Sequence, residues 1–543
     1  KVAARVQIPL GMPPFSRLSL EPSSFSHHSF VCNGPIRSIP LTLRSHEMNS
    51  WQPHLPEATD LSQIDLLAGG TLPNVWVNRW RRYPDNNVIH DPEQGWVSGG
   101  TLLSRSETTA RRLAHAGVLP GERVLLSASS SLELVIAHVA ALRLGAVVIP
   151  TNGAYRAEEV AHVVSDARPR VAIVEQPEWR EWIHATDPNV ISTDPSVELD
   201  DGPALSLDGV ETDGAALIGY TSGTTGRPKG AVLTHGNLLS SVRGLEIAWR
   251  WTSKDILILA LPLFHMHGLG VGLHGSLTVG GRAVLLPDFD ADQVLDSIKK
   301  FGATMFFGVP TMYGRLLNSE KVSQLGDLRL CVSGSAPLSA EVHRKIYDSA
   351  GQHILERYGM TETAMLVSNP YEGERRPNSV GFPLPGVEVR IEGDPPEIQV
   401  KGPNVFKGYW ERQEENLSAF DGGWFRTGDL GAIDSDGYLA ITGRAKELII
   451  SGGFNVYPKE VEDVIVEHEA VQECAVVGVS DEEWGEAVVA FVVATRDVDS
   501  AELRNFVGER LAHYKRPQNT YRVDSLPRNA LGKVQKHRLI DLF

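Results

Sequence analysis

The stretch Tyr220-Thr-Ser-Gly-Thr-Thr-Gly-Arg-Pro-Lys-Gly230 limits what this chain can fold into more than any other. It follows closely on the apolar run Ala215–Ile218, which reads as the end of a buried strand. Gly223, Gly226 and Gly230 let backbone amides approach anionic oxygens, Ser222, Thr224 and Thr225 add hydroxyl donors, and Lys229 adds a mobile positive charge. A flexible polar linker has no need of so many donors beside a strand. The order Gly-x-x-Gly-x-x-Lys-Gly lacks the Gly-Lys-Ser/Thr ending of a Walker loop, which would start a helix on the phosphates. A polyphosphate loop of another type, set on a sheet, is the expectation.

At 543 residues and 42% hydrophobic content the chain can bury several cores, so two or more domains are expected. No run approaches the roughly 18 uncharged apolar residues of a membrane span. A formal net charge of −16 argues against nucleic acid or an anionic membrane as partner. Any anionic ligand must therefore meet a local cluster of cations. Cys32, Cys331 and Cys474 are too widely spaced for a disulfide framework or a metal site and suit a reducing compartment, the cytoplasm by default. Residues 1–47 differ: five Lys/Arg stand against two acids, with many Ser and Pro and no helical period. That composition fits a disordered leader, an organellar transit peptide of mitochondrion or plastid, or translated upstream sequence, with Met12 and Met48 as alternative initiators.

From Trp51 the pattern becomes α/β. Helical stretches at Leu102–Ala116 and Leu132–Leu144 alternate with short apolar strands at Arg123–Ala128, Ala146–Pro150 and Val171–Val174, the alternation that builds parallel sheets. Acid-rich Asp194–Gly214 reads as a loop with no buried role. The strand Ile256–Ala260 ends in Leu261-Pro-Leu-Phe-His-Met-His-Gly268, whose two histidines lack a neighbouring Cys, Asp or Glu to complete a metal site. Ala303–Phe307 is a buried strand, Pro310 then opens a helix Thr311–Leu317, and Leu328–Val332 runs into the small-residue turn Ser333-Gly-Ser-Ala-Pro337. Ile354–Arg357 leads to Tyr358-Gly-Met-Thr-Glu-Thr363, and Gly423–Gly431 carries Asp429. Beyond about residue 445 the pattern is small and α+β, with a helix Lys459–His468 and a final turn holding Gly532 and Lys533.

These six blocks, in this order and spacing over about residues 60–540, resemble the adenylate-forming (AMP-binding) enzymes: acyl-CoA synthetases, firefly luciferases and peptide-synthetase adenylation domains. The resemblance implies a large N-terminal α/β domain of parallel-rich sheets, residues 48–443, and a small mobile α+β C-terminal domain, residues 444–543. It implies ATP, Mg²⁺ and CoA as cofactor and co-substrates. The ATP site would comprise Thr221, Ser222, Gly223, Thr224, Thr225, Gly226 and Lys229, the turn Gly334, Ser335, Ala336 and Pro337 beside adenine, and Glu356, Arg357, Tyr358, Gly359, Met360, Thr361, Asp429 and Arg444. Within that set Tyr358 offers a face to stack on the base, Glu362 a carboxylate to hold Mg²⁺, and Asp429 two free oxygens for the ribose hydroxyls. Lys533 would reach the α-phosphate and the acyl carboxylate, and Glu362 and Thr224 would share the catalytic work. His265 would gate the acyl site, with His267 simply packed. Lys446 would be the hinge, and Gly452 and Gly453 would serve the CoA side.

Within the family the blocks look like malonyl-CoA synthetases, although Ala364-Met-Leu366 is less polar than in several of them. A guanidinium at Arg315 among Met312, Leu316 and Met365, with Ser335 nearby, would be costly unless it met a carboxylate, so a short diacid such as malonate is the expected substrate. The alternatives are a medium-chain fatty or aromatic acid–CoA ligase, an adenylation enzyme serving a carrier protein, a luciferase-like oxygenase, and an inactive scaffold. No carrier motif follows Phe543, so a carrier protein is not the expected acceptor, and Lys533, Glu362 and Asp429 are all present, as a scaffold would not require. Because residues 1–47 have no apolar period with which to join a core, their removal should leave melting temperature and turnover unchanged. A truncated enzyme that melts several degrees lower would show the segment to be docked.

Overall fold

The computed structural model describes residues 48–56, 59–221, 228–481, 484–529 and 532–540. Helix Leu132–Leu144 shows how the large domain is layered. Every one of its residues except Glu133 is buried, Ser131 caps its start, and Gly145, at φ 84°, ends it. Such a helix needs a sheet on each side. On one side lies a seven-stranded sheet in the order Gly408–Tyr409, Lys229–Thr234, Ala215–Thr221, Val147–Pro150, Arg123–Ser127, Val171–Val174, Ile191–Thr193. On the other lies a nine-stranded sheet whose centre is the parallel run Leu355–Met360, Leu330–Ser333, Met305–Gly308, Ile256–Leu259, Arg282–Leu285.

Alternation along the strands assigns each face. Val124, Leu126 and Val148 join the core between the sheets, whereas Leu125, Val147 and Ile149 face the outer helices Ala157–Ala167 and Pro177–Thr186. Leu257, Leu259 and Phe307 likewise point inward, while Ile258 and Phe306 meet Ala291–Phe301 and Pro310–Leu317. A third, five-stranded sheet, Glu388–Glu392 to Leu439–Arg444, leads to the small C-terminal sheet built on Val471–Asp481 and Gly485–Ala494. The expected α/β body with a smaller C-terminal domain is what the chain forms.

Two expectations change. The loop Asp194–Gly214 has a buried role after all: Val197 is fully buried, and Asp208 pairs at 3.0 Å with Arg143, which is itself buried on the central helix. A lone buried guanidinium would be costly, so the loop's acid content supplies its partner. The strand before the phosphate stretch runs to Thr221 and pairs antiparallel with Lys229–Thr234, Thr221 opposite Lys229. The strand thus continues past the expected end at Ile218, and the stretch is flanked by two antiparallel strands, with no helix started on it. Ser222, Gly223, Thr224, Thr225 and Gly226 themselves lie outside the described residues.

Among the described residues no helix is long and apolar enough to cross a membrane. Cys331 and Cys474 are free thiols there.

Candidate active site

Four neighbouring parallel strands, Ile256–Leu259, Met305–Gly308, Leu330–Ser333 and Leu355–Met360, end at the same edge, so the segments that follow them converge. Tyr358 and Thr361 to Glu362 come from the last of these segments. Thr361 packs its methyl directly over Gly219, where any Cβ would collide with it, which ties this segment to the strand of the phosphate stretch. Glu362 is buried. Tyr409 Oη donates to its Oε1 at 3.0 Å, and Thr221 Oγ1 stands 3.5 Å away at the limit of hydrogen-bond reach. Burial raises the Glu362 carboxyl above its ordinary range, against the pull of Tyr409 and the Arg444 charge. The ring of Tyr409 also lies 5.6 Å from Lys229 Nζ, which pairs with Glu415 at 3.6 Å.

Asp429, on strand Trp424–Ile433, is buried opposite this group. Its Oδ2 accepts from Tyr358 Oη at 2.5 Å and its Oδ1 pairs with Arg444 Nε at 2.9 Å. The carboxylate expected to have two free oxygens thus has both engaged, although each retains a second lone pair. Lys533 arrives from the C-terminal domain. Its loop is fixed by Asn529, whose amide donates to Lys533 O and whose Oδ1 accepts from Lys533 N–H, both at 2.9 Å. Gly532, at φ 75°, sits so close to Thr311 that a Cβ would lie 2.8 Å from its Oγ1. Burial first, then the Arg444 charge, lowers the Lys533 ammonium, while Asp429 and Glu447 pull it up. The structure therefore brings Lys533, Arg444, Asp429, Tyr358 and Glu362 together.

A second polar group lies around His265, His267, Ser335 and Arg357. Burial and then the charge of Arg357 push His265 down to about 4 and hold His267 well below its ordinary value. His267 is not simply packed: its Nδ1 lies 3.4 Å from Ser335 Oγ, and Ser335 occupies φ 72°, a strained conformation for a residue with a Cβ. Arg357 is buried against Gly334, where a Cβ would stand 2.6 Å from its Nε.

Other expected residues fall elsewhere. The side chain of Glu356 is engaged elsewhere: its Oε2 accepts from Leu338 N–H at 3.1 Å and its Oε1 meets His343 Nε2 at 2.9 Å. Strand alternation turns it away from its neighbour Arg357, and it holds the turn of Gly334, Ser335, Ala336 and Pro337 by the end that follows Pro337. Arg315 is exposed, stacked 4.9 Å over Phe289 on the rim of a 280 Å³ cavity that Met312 and Thr311 also line. Leu316 is in the core behind it, and Met365 packs instead near Gly359, its amide donating to Ser241 Oγ at 3.2 Å. The expected cluster of Arg315 with Leu316 and Met365 does not form, because helix and strand periodicity turn those side chains into different layers. Met360 is half-buried and its carbonyl accepts from Thr363 N–H at 3.1 Å, closing the turn. Lys446 is exposed in the short turn Ala445–Glu447. Gly452 and Gly453, both at positive φ, form a hairpin turn of the C-terminal sheet, with Gly452 against Trp484. Tyr409 was not foreseen, since nothing in Gly408-Tyr-Trp410 announces that its hydroxyl meets Glu362.

No group of three or more His, Cys, Asp or Glu able to hold a metal exists among the described residues. A single buried carboxylate at Glu362 nevertheless suits Mg²⁺, which takes one or two carboxylates and fills its octahedron with phosphate oxygens and water.

Residues 76–410 match the model of the AMP-binding enzyme family, and residues 460–533 match that of the AMP-binding enzyme C-terminal domain. The chain belongs to this family and is an acid–thiol ligase that uses ATP, Mg²⁺ and CoA. It is 36% identical to a mitochondrial malonate–CoA ligase of Mus musculus, over 93% of this chain and 95% of that protein. Its fold matches the ATP-bound crystal structure of MatB from Rhodopseudomonas palustris with a TM-score of 0.82 at 40% identity, over 87% of this chain and 98% of that one. It likewise matches o-succinylbenzoate CoA synthetase from Bacillus subtilis with ATP and magnesium, at a TM-score of 0.78 and 32% identity over 86% and 98% of the two chains. Relatives at 34% to 37% identity are also named as oxalate, 2-succinylbenzoate and feruloyl ligases.

Replacing Glu356 by Ala should strand Leu338 N–H and His343 and cost about 1–3 kcal/mol in urea unfolding. It should also raise KM for ATP through the loosened turn. Unchanged stability together with a lost ATP affinity would show that Glu356 contacts the nucleotide directly.

Proposed function

We propose that the acid is a short dicarboxylate, malonate or methylmalonate, and that CoA rather than a carrier protein accepts the acyl group. One observation carries this reading. The acyl side bears two guanidinium groups, Arg315 and Arg357, and neither has an ion-pair partner among the described residues. Buried Arg357 lacks a counter-charge and exposed Arg315 is free to offer one more charge-assisted pair, while the carboxylate being activated is committed to the phosphate. The malonate ligase similarities support the same choice, and oxalate and 2-succinylbenzoate are dicarboxylates too.

A carboxylate is a poor electrophile, so its oxygen first attacks the α-phosphorus of ATP while the bond to pyrophosphate breaks. Lys533 places a positive charge where negative charge builds up between acid and phosphate, and Asp429 with Tyr358 and Arg444 fixes the ribose side. Mg²⁺ held by Glu362 neutralises phosphate charge when bound. The CoA sulfur then attacks the activated carbonyl and AMP leaves. Lys533 and the Gly452–Gly453 turn lie in the same small domain, so a rotation about Lys446 would exchange the adenylation face for the thiolation face.

Lys533→Ala should lower acyl-adenylate formation by ~10²–10³-fold, the scale of one lost transition-state donor, yet spare thioester formation from supplied acyl-adenylate. Equal loss of both half-reactions in a folded variant contradicts that placement. A pyrophosphate-release screen over mono- and dicarboxylic acids, with and without CoA, tests the substrate. Malonate should exceed butyrate by ~10²-fold or more in kcat/KM, from roughly 3 kcal/mol for a charge-assisted pair. Preference for a medium-chain or aromatic acid ends the dicarboxylate reading and leaves the CoA ligase class standing.

A further inference from the structure

Helix Ala157–Ala167 lies on the outer face of the seven-stranded sheet, where Val160, Val163 and Val164 pack against it. It carries His162 and Asp166 four residues apart, hence on one side of the helix. Tyr220 Oη, on the strand that enters the phosphate stretch, donates to Asp166 Oδ2 at 2.6 Å. His162 Nε2 donates at 2.7 Å to the carbonyl of Pro228, where the chain leaves that stretch. A carbonyl can only accept, so Nε2 carries a proton. We infer that His162 and Asp166 are positioning residues for ATP: they fix the two ends of the phosphate stretch and so set where Thr221 and Lys229 stand on the opposite face of the sheet. The inference is independent of the acid and rests on the reading of Thr221 and Lys229 as part of the ATP site.

Strand alternation carries the constraint through the sheet. Ile218, Tyr220 and Val232 belong to the outer layer with the helix, while Leu217, Ala231 and Leu233 belong to the core between the sheets. By the same period Thr221 and Lys229, opposite one another in the register, turn to the inner face. There Thr221 Oγ1 stands 3.5 Å from Glu362 Oε1, and Lys229 Nζ lies over the ring of Tyr409. Tyr220 is bonded to Thr221 and Pro228 to Lys229, so the helix fixes each of these side chains through its immediate chain neighbour.

Asp166 stands where helix stability alone does not favour it. It lies in the last turn of its helix, where a carboxylate opposes the helix dipole, and its side chain is only 11% exposed. Its partners compensate for this. Tyr220 takes one oxygen, Arg412 takes the other, and the indole N–H of Trp410 donates to the Asp166 carbonyl at 3.2 Å. The Trp410 backbone N–H in turn donates to Gly230 O at 2.7 Å, next to Lys229. Burial first, then the bond to Asp166, raises the Tyr220 phenol above its ordinary value, so it remains a donor at neutral pH. The ring of His162 meets that of Tyr220 edge-on, with centroids 6.1 Å apart, so the two contacts support each other. The helix already has a buried apolar face in Val160, Val163, Val164 and Ala167, so packing does not require these polar contacts.

The test uses the full enzyme with Tyr220→Phe, Asp166→Ala, His162→Leu and His162→Gln, the last keeping a donor close to the Nε2 position. ATP binding with Mg²⁺ is measured by calorimetry, and backbone hydrogen exchange of strands Ala215–Thr221 and Lys229–Thr234 is followed without nucleotide. Acyl-adenylate formation and thioester formation are measured separately, with the acid that the pyrophosphate screen selects. Tyr220→Phe, Asp166→Ala and His162→Leu should each weaken ATP binding by about five-fold or more, the scale of one lost hydrogen bond. Acyl-adenylate formation should fall with it, while thioester formation from supplied acyl-adenylate stays within about two-fold of wild type. Exchange should be faster at the Tyr220 and Lys229 ends of the two strands. His162→Gln should behave as wild type. Because Tyr220 and Asp166 act through one bond, the double variant should be no more than about two-fold worse than the weaker single one. Should Asp166→Ala fail to fold, Tyr220→Phe, which removes a single oxygen atom, carries the same expectations. A lower melting temperature or an equal loss in both half-reactions, with ATP binding unchanged, overturns the inference and leaves the contacts structural. His162→Gln as impaired as His162→Leu overturns His162 as a positioning residue. Lys229→Ala with unchanged ATP affinity overturns the reading of the ATP site and this inference with it, whereas weakened ATP binding in Lys229→Ala alone overturns only this inference.

Discussion

The Asp429 carboxylate is where the parts of this molecule meet. Tyr358 reaches it from the nine-stranded sheet, Asp429 itself stands on the five-stranded sheet, and Arg444 closes on it from the last residue of the strand that leads into the C-terminal domain. A buried carboxylate without such partners would be expensive; Arg444 supplies one as its cross-strand neighbour in the same sheet, and Tyr358 supplies the other from the nine-stranded sheet. Lys533 feels the same carboxylate and the same guanidinium. The position of the C-terminal loop is thus linked electrostatically to the residues proposed for the ribose. In a chain of net charge −16, cations are concentrated at this junction by folding, since composition alone would repel ATP.

What the sequence made legible follows from locality. Helix Leu132–Leu144 could be read to the residue, because an apolar run bounded by Ser131 and Gly145 carries its own start and stop. The blocks around Tyr358, Glu362, Asp429 and Lys533 were legible because together, in order and spacing, they resemble the motifs of one family. Side-chain direction was less accessible. Glu356 and Arg357 are adjacent, and both were assigned to the nucleotide, but the two-residue period of a strand sends them to opposite faces. The same period applied to the motif itself would have separated them.

Long-range pairings were not legible at all. Asp208 compensates Arg143 from 65 residues away, and Tyr409 reaches Glu362 across 47 residues. No local pattern encodes such partners, since a tyrosine after a glycine is ordinary surface chemistry until the sheets assemble. The five-stranded sheet was legible only in part: Tyr438–Thr442 reads as a strand, and Leu439–Arg444 forms one, whereas Glu388–Glu392 has four intermediate positions and one exposed, so no apolar run marks it.

Charge compensation connects these observations to selectivity. The interior between the large sheets pairs Arg143 with Asp208 and Arg329 with Asp255, so the fold supplies anions to buried or half-buried guanidiniums where it needs only stability. At Arg357 it supplies none among the described residues, and at Lys533 it leaves an ammonium lowered by burial. Such departures from compensation are expected at functional sites, where local stability is given up for recognition. On the proposed reading a substrate with two carboxylates offsets a cation at each end, Lys533 at one and a guanidinium at the other, whereas a monocarboxylate offsets only the lysine. Selection would then lie in the electrostatics of two fixed charges as well as in the shape of the pocket, because a monocarboxylate of the same size leaves one of those charges without an anion.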